Sequence, residues 1–285
     1  MKPLLILIFA FFSVYSYSQE YEWGYRFTVG DTFRYRTKKI VTQVKDERSH
    51  DDTLIIKVIN VDAEGNITLL FAEQKQKDTT DWQVVGGTEA QPGRYSFKYG
   101  TLLSGSEATI TMTRYGKFLR GEFTTLDIEH RKARESQLKD TSESYRQSFI
   151  KNEQGSLRYV LNYYFPRLSE QSSILLHQTW NDSTVSNNNS LTLKDGKKIL
   201  NKQTTKKRLD FVLYDVTNVQ GIPCFRIGVK EDWKQSGKIG FEMKSDEVFY
   251  LRVSDCALVT ATLNSVQQLD GEWFCNTEIT HKLLP

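Results

Sequence analysis

Cysteine, proline and glycine are all scarce in this 285-residue chain. The 5 prolines and 17 glycines exclude a collagen-like or low-complexity protein. The three cysteines, Cys224, Cys256 and Cys275, are too few for a small disulfide-held scaffold, and their spacing matches no zinc site. Their odd number permits one disulfide and leaves one thiol over. In a simple meander of strands, Cys224 and Cys256 are the pair that closes more easily.

Histidine is also rare, and the recognisable catalytic motifs are missing. The four histidines, at 50, 130, 177 and 281, lie far apart, and none forms a metal-binding helical pair with a glutamate. The chain has no Gly-x-Ser-x-Gly nucleophile turn and no phosphate-binding glycine loop. We therefore predict no metal, no cofactor and no catalytic residue. A carboxylate pair assembled from distant strands leaves no local motif, so hydrolysis of that kind stays open.

Charge of one sign does not accumulate either. The 38 basic and 35 acidic residues give a net charge of +3, which excludes the electrostatic footprint of a nucleic-acid-binding protein. One local exception is the segment 194–208, where seven basic residues face a single acidic one. It could meet an anionic membrane surface or an acidic partner, but charge runs usually face water, and we predict a solvated loop.

Long hydrophobic runs are missing except at the N-terminus. Lys2 precedes an apolar run from Leu4 to Phe12, and Ser16 and Ser18 occupy positions −3 and −1 of a cut before Gln19. The run is too short for a membrane-spanning helix, which needs about 20 apolar residues. The pattern predicts a secretory signal peptide over residues 1–18. With no cysteine near the cut, the mature chain is expected to be a soluble protein of the periplasm or the extracellular space.

Most of the remaining chain has the apolar–polar alternation of β-strands. Phe33, Tyr35 and Thr37 share one face of a predicted strand, while Arg34 and Arg36 share the other. The residues at 62–66 have calcium-ligand side chains at the wrong spacing, and their composition predicts a hairpin turn instead. Further strands are predicted within 53–61, 67–71, 107–115, 117–123, 209–216, 222–233, 238–253, 257–266 and 272–283.

A helical insert is predicted at about 128–165. This stretch is rich in charged residues and glutamine, and its apolar residues recur at near-helical spacing. We expect two helices, hinged near Gly155 and ended by Pro166. Strands, then helices, then strands indicate an α+β fold in which an antiparallel sheet has its helices on one side. The mature chain, 19–285, is predicted to be a single domain.

The two strand-rich parts of the chain show a weak internal echo. Gly30–Phe33 opens the first part and His177–Trp180 opens the second, and the segment 114–119 has a counterpart at 254–259. A duplication with halves 19–127 and 170–285 would explain this similarity. Hairpin sequences in general resemble one another, so both explanations stay open.

Aromatic residues are plentiful, with 5 Trp, 14 Tyr and 16 Phe. Many alternate along strands and could line the concave face of a curved sheet, where they would hold an apolar ligand. The alternative is an ordinary packed core. The residues predicted to line a pocket are Phe33, Tyr35, Trp180, Phe211, Phe225, Phe241 and Phe249.

Four segments carry a family resemblance: Gly30–Tyr35, Thr113–Gly121, Tyr163–Leu168 and Thr179-Trp180. Together they resemble an uncharacterised family of exported β-rich proteins from Bacteroidetes-type Gram-negative bacteria. That family in turn is similar to the lipoprotein-carrier superfamily, in which a curved half-barrel with helices in its mouth binds lipid or acyl chains. Several family members carry a lipid-anchoring cysteine that this chain lacks, and Cys256 stands where a second turn glycine is expected. The resemblance implies no catalytic residue.

These observations favour an exported, non-catalytic protein that binds an apolar or amphipathic, lipid-like ligand. The first alternative is an interaction or scaffold module that engages an envelope protein or glycan through its loops. The second is a hydrolase with a dispersed carboxylate pair.

Overall fold

The computed structural model describes residues 20–43, 46–74, 82–86, 95–99, 105–139, 142–194, 197–236 and 240–285. The predicted signal peptide, 1–18, lies outside these residues. The helices are α1 (Ile128–Leu138) and α2 (Glu143–Tyr164). The strands are β1 (Tyr21–Glu22), β2 (Thr32–Gln43), β3 (Asp46–Val61), β4 (Ile67–Gln74), β5 (Trp82–Gly86), β6 (Tyr95–Tyr99), β7 (Glu107–Met112), β8 (Phe118–Thr125), β9 (Ser173–Ile174), β10 (Thr179–Lys194), β11 (Lys197–Val219), β12 (Ile222–Ser236), β13 (Phe241–Arg252), β14 (Leu258–Leu269) and β15 (Glu272–Leu283).

Eleven of these strands form one antiparallel sheet in the order β10-β11-β12-β13-β14-β15-β2-β3-β4-β7-β8. The strands β10 and β8 lie at its two edges, so the sheet as described is open. Two short ladders, β1–β9 and β5–β6, are separate from it. The predicted antiparallel sheet with a helical insert is therefore confirmed, while the half-barrel curvature stays a prediction.

The two halves of the chain contribute neighbouring blocks of this sheet. The strands β10 to β15 form an uninterrupted meander, and β15 then pairs with β2 of the first half. Within the first half, β2, β3, β4, β7 and β8 follow one another. The proposed duplication stays a prediction, as does the division into halves at 19–127 and 170–285.

Two turns, one in each half of the chain, have the same unusual backbone conformation. Gly116 and Cys256, which the sequence comparison places at equivalent positions, both have a left-handed backbone, with φ of 78° and 61°. Glycine adopts this conformation without strain, whereas a residue with a Cβ atom does not. The segment 23–27 bridges both turns, because the Tyr25 amide donates to the Arg114 carbonyl and the Arg26 amide to the Asp255 carbonyl.

The face of the sheet that carries the main core is called the inner face here. The last turns of α2 pack against it with Leu157, Val160, Leu161 and Tyr164, all buried. Gly121 on β8 permits the close approach, because a Cβ atom there would lie 3.1 Å from Leu157 Cδ1. The helix thus covers one side of the inner face.

The structure corrects the prediction of a hinge near Gly155. Gly155 lies inside α2, and the helical insert is instead interrupted between Leu138 and Glu143. A glycine inside a helix costs only about 1 kcal/mol relative to alanine, which the packing of the flanking turns outweighs. The prediction that Pro166 ends the insert is confirmed, since α2 ends at Tyr164.

The predicted solvated loop over 194–208 is also wrong. Most of this segment belongs to β11, which pairs with β10 in continuous register from Lys197 onward. Only from Thr204 does β11 also pair with β12, so the β10–β11 hairpin extends beyond the rest of the sheet. Lys194 at the end of β10 pairs with Lys197 at the start of β11, and positions 195–196 lie outside the described residues.

Candidate functional site

Six neighbouring strands, β11 to β15 and β2, place their inner-face side chains in rows across the sheet. In each row, a residue on one strand lies directly opposite a residue on the next strand. One row, the polar row, consists of Glu231, Ser245, Ser265 and Thr277 on β12, β13, β14 and β15. The neighbouring row is mainly apolar, but it contains Glu247 on β13 and Lys39 on β2. Its other members on these six strands are Phe211, Val229, Leu263 and Ile279.

A cavity of about 90 Å³ lies between these two rows and the helix α2. Both rows contribute to its walls, and Tyr159, Asn162 and Tyr163 of α2 cover it. Because a water occupies roughly 30 Å³ in the liquid, this volume accommodates about three waters or a small chemical group. Tyr159 is 39% exposed, so the cavity reaches the surface beside this residue.

The polar row is buried to an unusual degree for its composition. Glu231, Ser245, Ser265 and Thr277 are exposed by only 6%, 5%, 4% and 4%. The Thr277 hydroxyl is buried and has no hydrogen-bond partner among the described residues. A buried hydroxyl without a partner costs free energy. The cavity beside the polar row is therefore suited to a polar group that would satisfy this hydroxyl.

Two carboxylates and one ammonium meet at the β11–β13 end of the cavity. Lys207 Nζ lies 2.8 Å from Glu231 Oε1, and the Ser245 hydroxyl donates to Glu247 at 3.1 Å. Burial raises the pKa of Glu247 to about 7, and the negative charge of Glu231 adds to this effect. Near neutral pH, Glu247 therefore exchanges a proton while Glu231 is paired with Lys207.

The opposite end of the cavity carries Lys39. The register places Lys39 opposite Ile279, and Thr277 is therefore its diagonal neighbour on β15, with Cα atoms roughly 7–8 Å apart. Burial lowers the pKa of Lys39 to about 8, although Cys275 and Asp52 act in the opposite direction. This end thus combines a desolvated ammonium with the unpartnered Thr277 hydroxyl.

The helix α2 closes the cavity with two tyrosines one turn apart. The rings of Tyr159 and Tyr163 pack edge to face at 4.6 Å, and their hydroxyls share a hydrogen bond. The Lys207 ammonium lies 5.9 Å from the centre of the Tyr159 ring. The cover is thus aromatic with polar tips, which suits an amphipathic occupant.

A buried histidine, His281, lies in the row beyond the mainly apolar row, on the side away from the polar row. His281 is 2% exposed, its Nδ1 shares a hydrogen bond with the Thr37 hydroxyl at 2.9 Å, and burial lowers its pKa to about 3. Its ring packs against Tyr163 and Tyr164. His281 is therefore neutral at physiological pH and belongs to the core beneath the cavity.

The structure divides the seven aromatic residues predicted to line a pocket. Phe211 and Phe249 do line the cavity. Phe33, Tyr35 and Phe225 are at most 5% exposed and fill the main core. Trp180 stacks on Phe211 at 5.3 Å, with its indole nitrogen donating to the Arg167 carbonyl.

Phe241 lies in a second, smaller core. It packs there against Trp233 and a cluster formed by Val41, Leu269, Phe274 and Cys275. The ordinary core thus accounts for most of the predicted aromatic residues.

The polar residues of the cavity were not predicted. Four different strands supply these residues, which are Lys39, Glu231, Glu247 and Thr277. Each one has other polar or charged residues close to it in the sequence. Only the register brings them together. The one available signal was the presence of charged residues on the inward-facing positions of strands, as in the alternation of Lys39 with Phe33 and Tyr35 on β2.

The predicted Cys224–Cys256 disulfide is not formed. All three cysteines lie within the described residues, and each is free and buried. Cys256 packs in the main core together with Phe225. Cys224 precedes Phe225 on β12, so its side chain points to the opposite face of the sheet. Burial raises the pKa of Cys224 to about 11 and that of Cys256 to about 12.

No family model and no curated protein matches the chain. Among solved structures, one match is the crystal structure of a "putative exported protein with YmcC-like fold" from Bacteroides fragilis. It is 8% identical, the alignment covers 93% of this chain and 100% of that chain, and the TM-score is 0.29.

The similarity to lipoprotein carriers stays a prediction. Among the described residues, no helix has the length and apolar character needed to cross a membrane.

Proposed function

We propose that this protein is an exported, non-catalytic protein that binds an amphipathic, lipid-like ligand in the cavity between α2 and the inner face of the sheet. The observation that carries the proposal is the polar row, four buried polar side chains beside the cavity, one of which has no partner among the described residues. Burial of the Thr277 hydroxyl costs free energy unless an occupant of the cavity supplies a hydrogen bond.

The rest of the lining supports a ligand with an apolar part. The cavity contacts Phe211, Val229, Leu263 and Ile279, together with the rings of Tyr159 and Tyr163. Ligand pockets in proteins commonly combine apolar walls with a few placed polar groups that orient the ligand. The polar row would contact the head of an amphiphile, and the apolar side chains its first methylene groups.

The size of the cavity limits how much of a ligand it encloses. Its volume of about 90 Å³ lies below the roughly 300–1,000 Å³ of typical small-molecule pockets. A longer chain therefore leaves through the opening beside Tyr159 or displaces part of α2. Ligand binding should accordingly alter the environment of this helix.

The experiment is native mass spectrometry with lipid extraction on mature protein from a Gram-negative periplasm. We expect an acyl-containing species at near-unit stoichiometry. Leu263→Trp places a large ring in the cavity, and this variant should carry no bound acyl species. Thr262→Trp places the same ring on the exposed face of the strand, and this variant should keep the bound species. Thermal unfolding of both variants verifies that they fold. A wild-type protein that carries no ligand and takes up none from a lipid extract contradicts the proposal.

One observation favours a second candidate, hydrolysis by a carboxylate pair. Glu231 and Glu247 are diagonal neighbours that share the cavity, and burial raises the pKa of Glu247 to about 7. A carboxyl group whose pKa is raised towards neutral pH, beside a second carboxyl group, is typical of glycosidase sites. Turnover of any member of a panel of nitrophenyl glycosides, abolished in Glu247→Gln, would support it. No turnover above the Glu247→Gln background would leave ligand binding as the function.

A further inference from the structure

We propose that Lys39 and Thr277 form an anion-binding subsite, which holds the negatively charged oxygen headgroup of a single-chain amphiphile. This inference rests on the proposed function and identifies the class of ligand. It follows from the position of the two residues, their burial and the charges around them.

The register places both residues at the same end of the cavity. Lys39 on β2 is opposite Ile279 on β15, and Thr277 follows two residues earlier on the same face of β15. Ser265 lies directly opposite Thr277 on β14, and all four side chains line the cavity. A ligand oxygen at this end would therefore be within reach of an ammonium and two hydroxyl groups.

The Thr277 hydroxyl is the independent sign of a ligand. It is 4% exposed, borders the cavity, and has no hydrogen-bond partner within the described part of the chain. Eleven buried side-chain atoms of the described residues lack a hydrogen-bond partner, and two of them, Glu231 Oε1 and Thr277 Oγ1, belong to residues that line the cavity. Glu231 is paired with Lys207, so the Thr277 hydroxyl is the one that a ligand would satisfy. As a donor beside an ammonium, this hydroxyl fits an acceptor oxygen, which a cationic headgroup lacks.

The state of Lys39 points the same way. Burial lowers its pKa to about 8, so that desolvation outweighs the attraction of Asp52 and Cys275, the two groups that raise the pKa. Asp52, which lies opposite Thr37 on β3, is the nearby carboxylate with which a ligand would share Lys39. Because an ammonium has three N–H donors, a ligand oxygen can bind Lys39 alongside Asp52.

The other charged residues that line the cavity are paired with one another or lie at its far end. Lys207 pairs with Glu231, and Arg167 Nη1 lies 2.8 Å from Asp182 Oδ2. Glu247 is separated from Lys39 by β14 and β15, a span of roughly 14 Å at the usual strand spacing. The end with Lys39 is therefore the more favourable one for an anion.

The apolar side chains beside the subsite define the rest of the ligand. Ile279 and Leu263 lead from Lys39 across the sheet, so a methylene chain attached to the anion would contact them directly. Two headgroups share the required chemistry, a carboxylate and a phosphate monoester. A sugar without charge or a quaternary amine does not.

The experiment compares four probes with the same twelve-carbon chain at pH 7: dodecanoate, dodecyl phosphate, methyl dodecanoate and dodecylamine. Affinities for delipidated protein are measured by calorimetry below the micellar concentration of each charged probe and below the solubility limit of the ester. We expect one or both anions to bind at least tenfold more tightly than the ester and the amine. The tighter of the two anions identifies the headgroup.

Three variants locate the subsite. Lys39→Met should lower the affinity for the anions at least tenfold and leave that for the ester unchanged, because a charge-assisted hydrogen bond is lost. Thr277→Val should lower anion affinity about fivefold. Lys38→Met, on the exposed face of the same strand, should change neither. Far-ultraviolet circular dichroism and thermal unfolding verify that each variant folds.

Two outcomes overturn the inference in different ways. If the ester or the amine binds as tightly as the anions, or if Lys39→Met and Lys38→Met behave alike, the subsite is refuted and the proposed function stands. If none of the four probes binds the wild-type protein, the proposed function fails together with the subsite.

Discussion

Replacing Glu247 by glutamine should change how the stability of the protein depends on pH. The pKa of Glu247 is about 7 in the folded protein, raised by burial and then by Glu231, against an ordinary value near 4.5. Between these values, the folded protein holds a proton that the unfolded chain has released. The free energy of unfolding contributed by Glu247 therefore falls as pH rises from about 4.5 to 7 and is constant above 7.

The magnitude follows from the size of the shift. A difference of about 2.5 pKa units corresponds to about 3 kcal/mol, at about 1.4 kcal/mol per unit. Glu247 borders the cavity, where water would screen it, so this is an upper limit. When the pH is lowered from 8 to 4.5, the free energy of unfolding of the wild-type protein should rise relative to that of Glu247→Gln by up to this amount.

His281 acts in the opposite direction. Burial lowers its pKa to about 3, so the unfolded chain binds a proton below pH 6.5 that the folded protein does not. Its contribution to the free energy of unfolding falls by about 1.4 kcal/mol per unit of acidification in this range. Between about pH 4.5 and 6.5 the two effects offset each other. Glu247→Gln should therefore become steeply less stable with acidification, and His281→Gln should become more stable relative to the wild-type protein.

The assay is urea unfolding, followed by tryptophan fluorescence, at pH 4.5, 6 and 8. Asp246→Asn, a carboxyl change on the exposed face of the same strand, serves as the control. The reasoning is refuted if the stability difference between wild type and Glu247→Gln is the same at all three pH values. That result would mean that the Glu247 carboxyl is well hydrated in the folded protein.

Three further predictions concern stability and the cysteines. Gly116→Ala should cost at least about 2 kcal/mol in thermal unfolding, because φ is 78° and a Cβ atom would lie 3.0 Å from the Pro166 carbonyl oxygen. Gly65→Ala has a similar φ and free space, and an equal loss there would contradict this reasoning. Lys207→Met should destabilise more than the double variant Lys207→Met/Glu231→Gln, since it leaves a buried carboxylate unpaired; the reverse order in urea unfolding would argue against this ion pair. A thiol reagent should find three free cysteines in denaturant and none that reacts rapidly in the folded protein, whereas a single thiol in denaturant would reveal a disulfide.

Local patterns were sufficient for much of the fold. The alternation on β2, the turn at 62–66 and the helical insert before Pro166 all depend on neighbouring residues, and the structure contains all of them. The Asp62 carboxylate accepts hydrogen bonds from the backbone and side chain of Asn66, as a hairpin turn of this composition requires. The position of the helix break was predicted wrongly because a glycine weakens a helix without ending it.

The site depends on relationships that no local pattern contains. Phe211 and Phe249 were predicted as lining residues from their alternation, but the same alternation applies to Phe33 and Phe225, which fill the core. Whether an inward-facing aromatic residue borders a cavity depends on where α2 lies above the sheet. That position is set by contacts such as Leu157 against Gly121, more than thirty residues away.

The amino-acid sequence alone was enough for the antiparallel strands and the helical insert, because these follow from composition and short-range periodicity. The register of the neighbouring strands β12, β13, β14, β15 and β2 was decided only in the tertiary structure. This register places Lys39, Thr277, Glu231 and Glu247 around one cavity. A shift of one residue in any of these pairings would turn the polar side chains to the other face. The candidate site therefore exists only through long-range pairing and the helix that covers it.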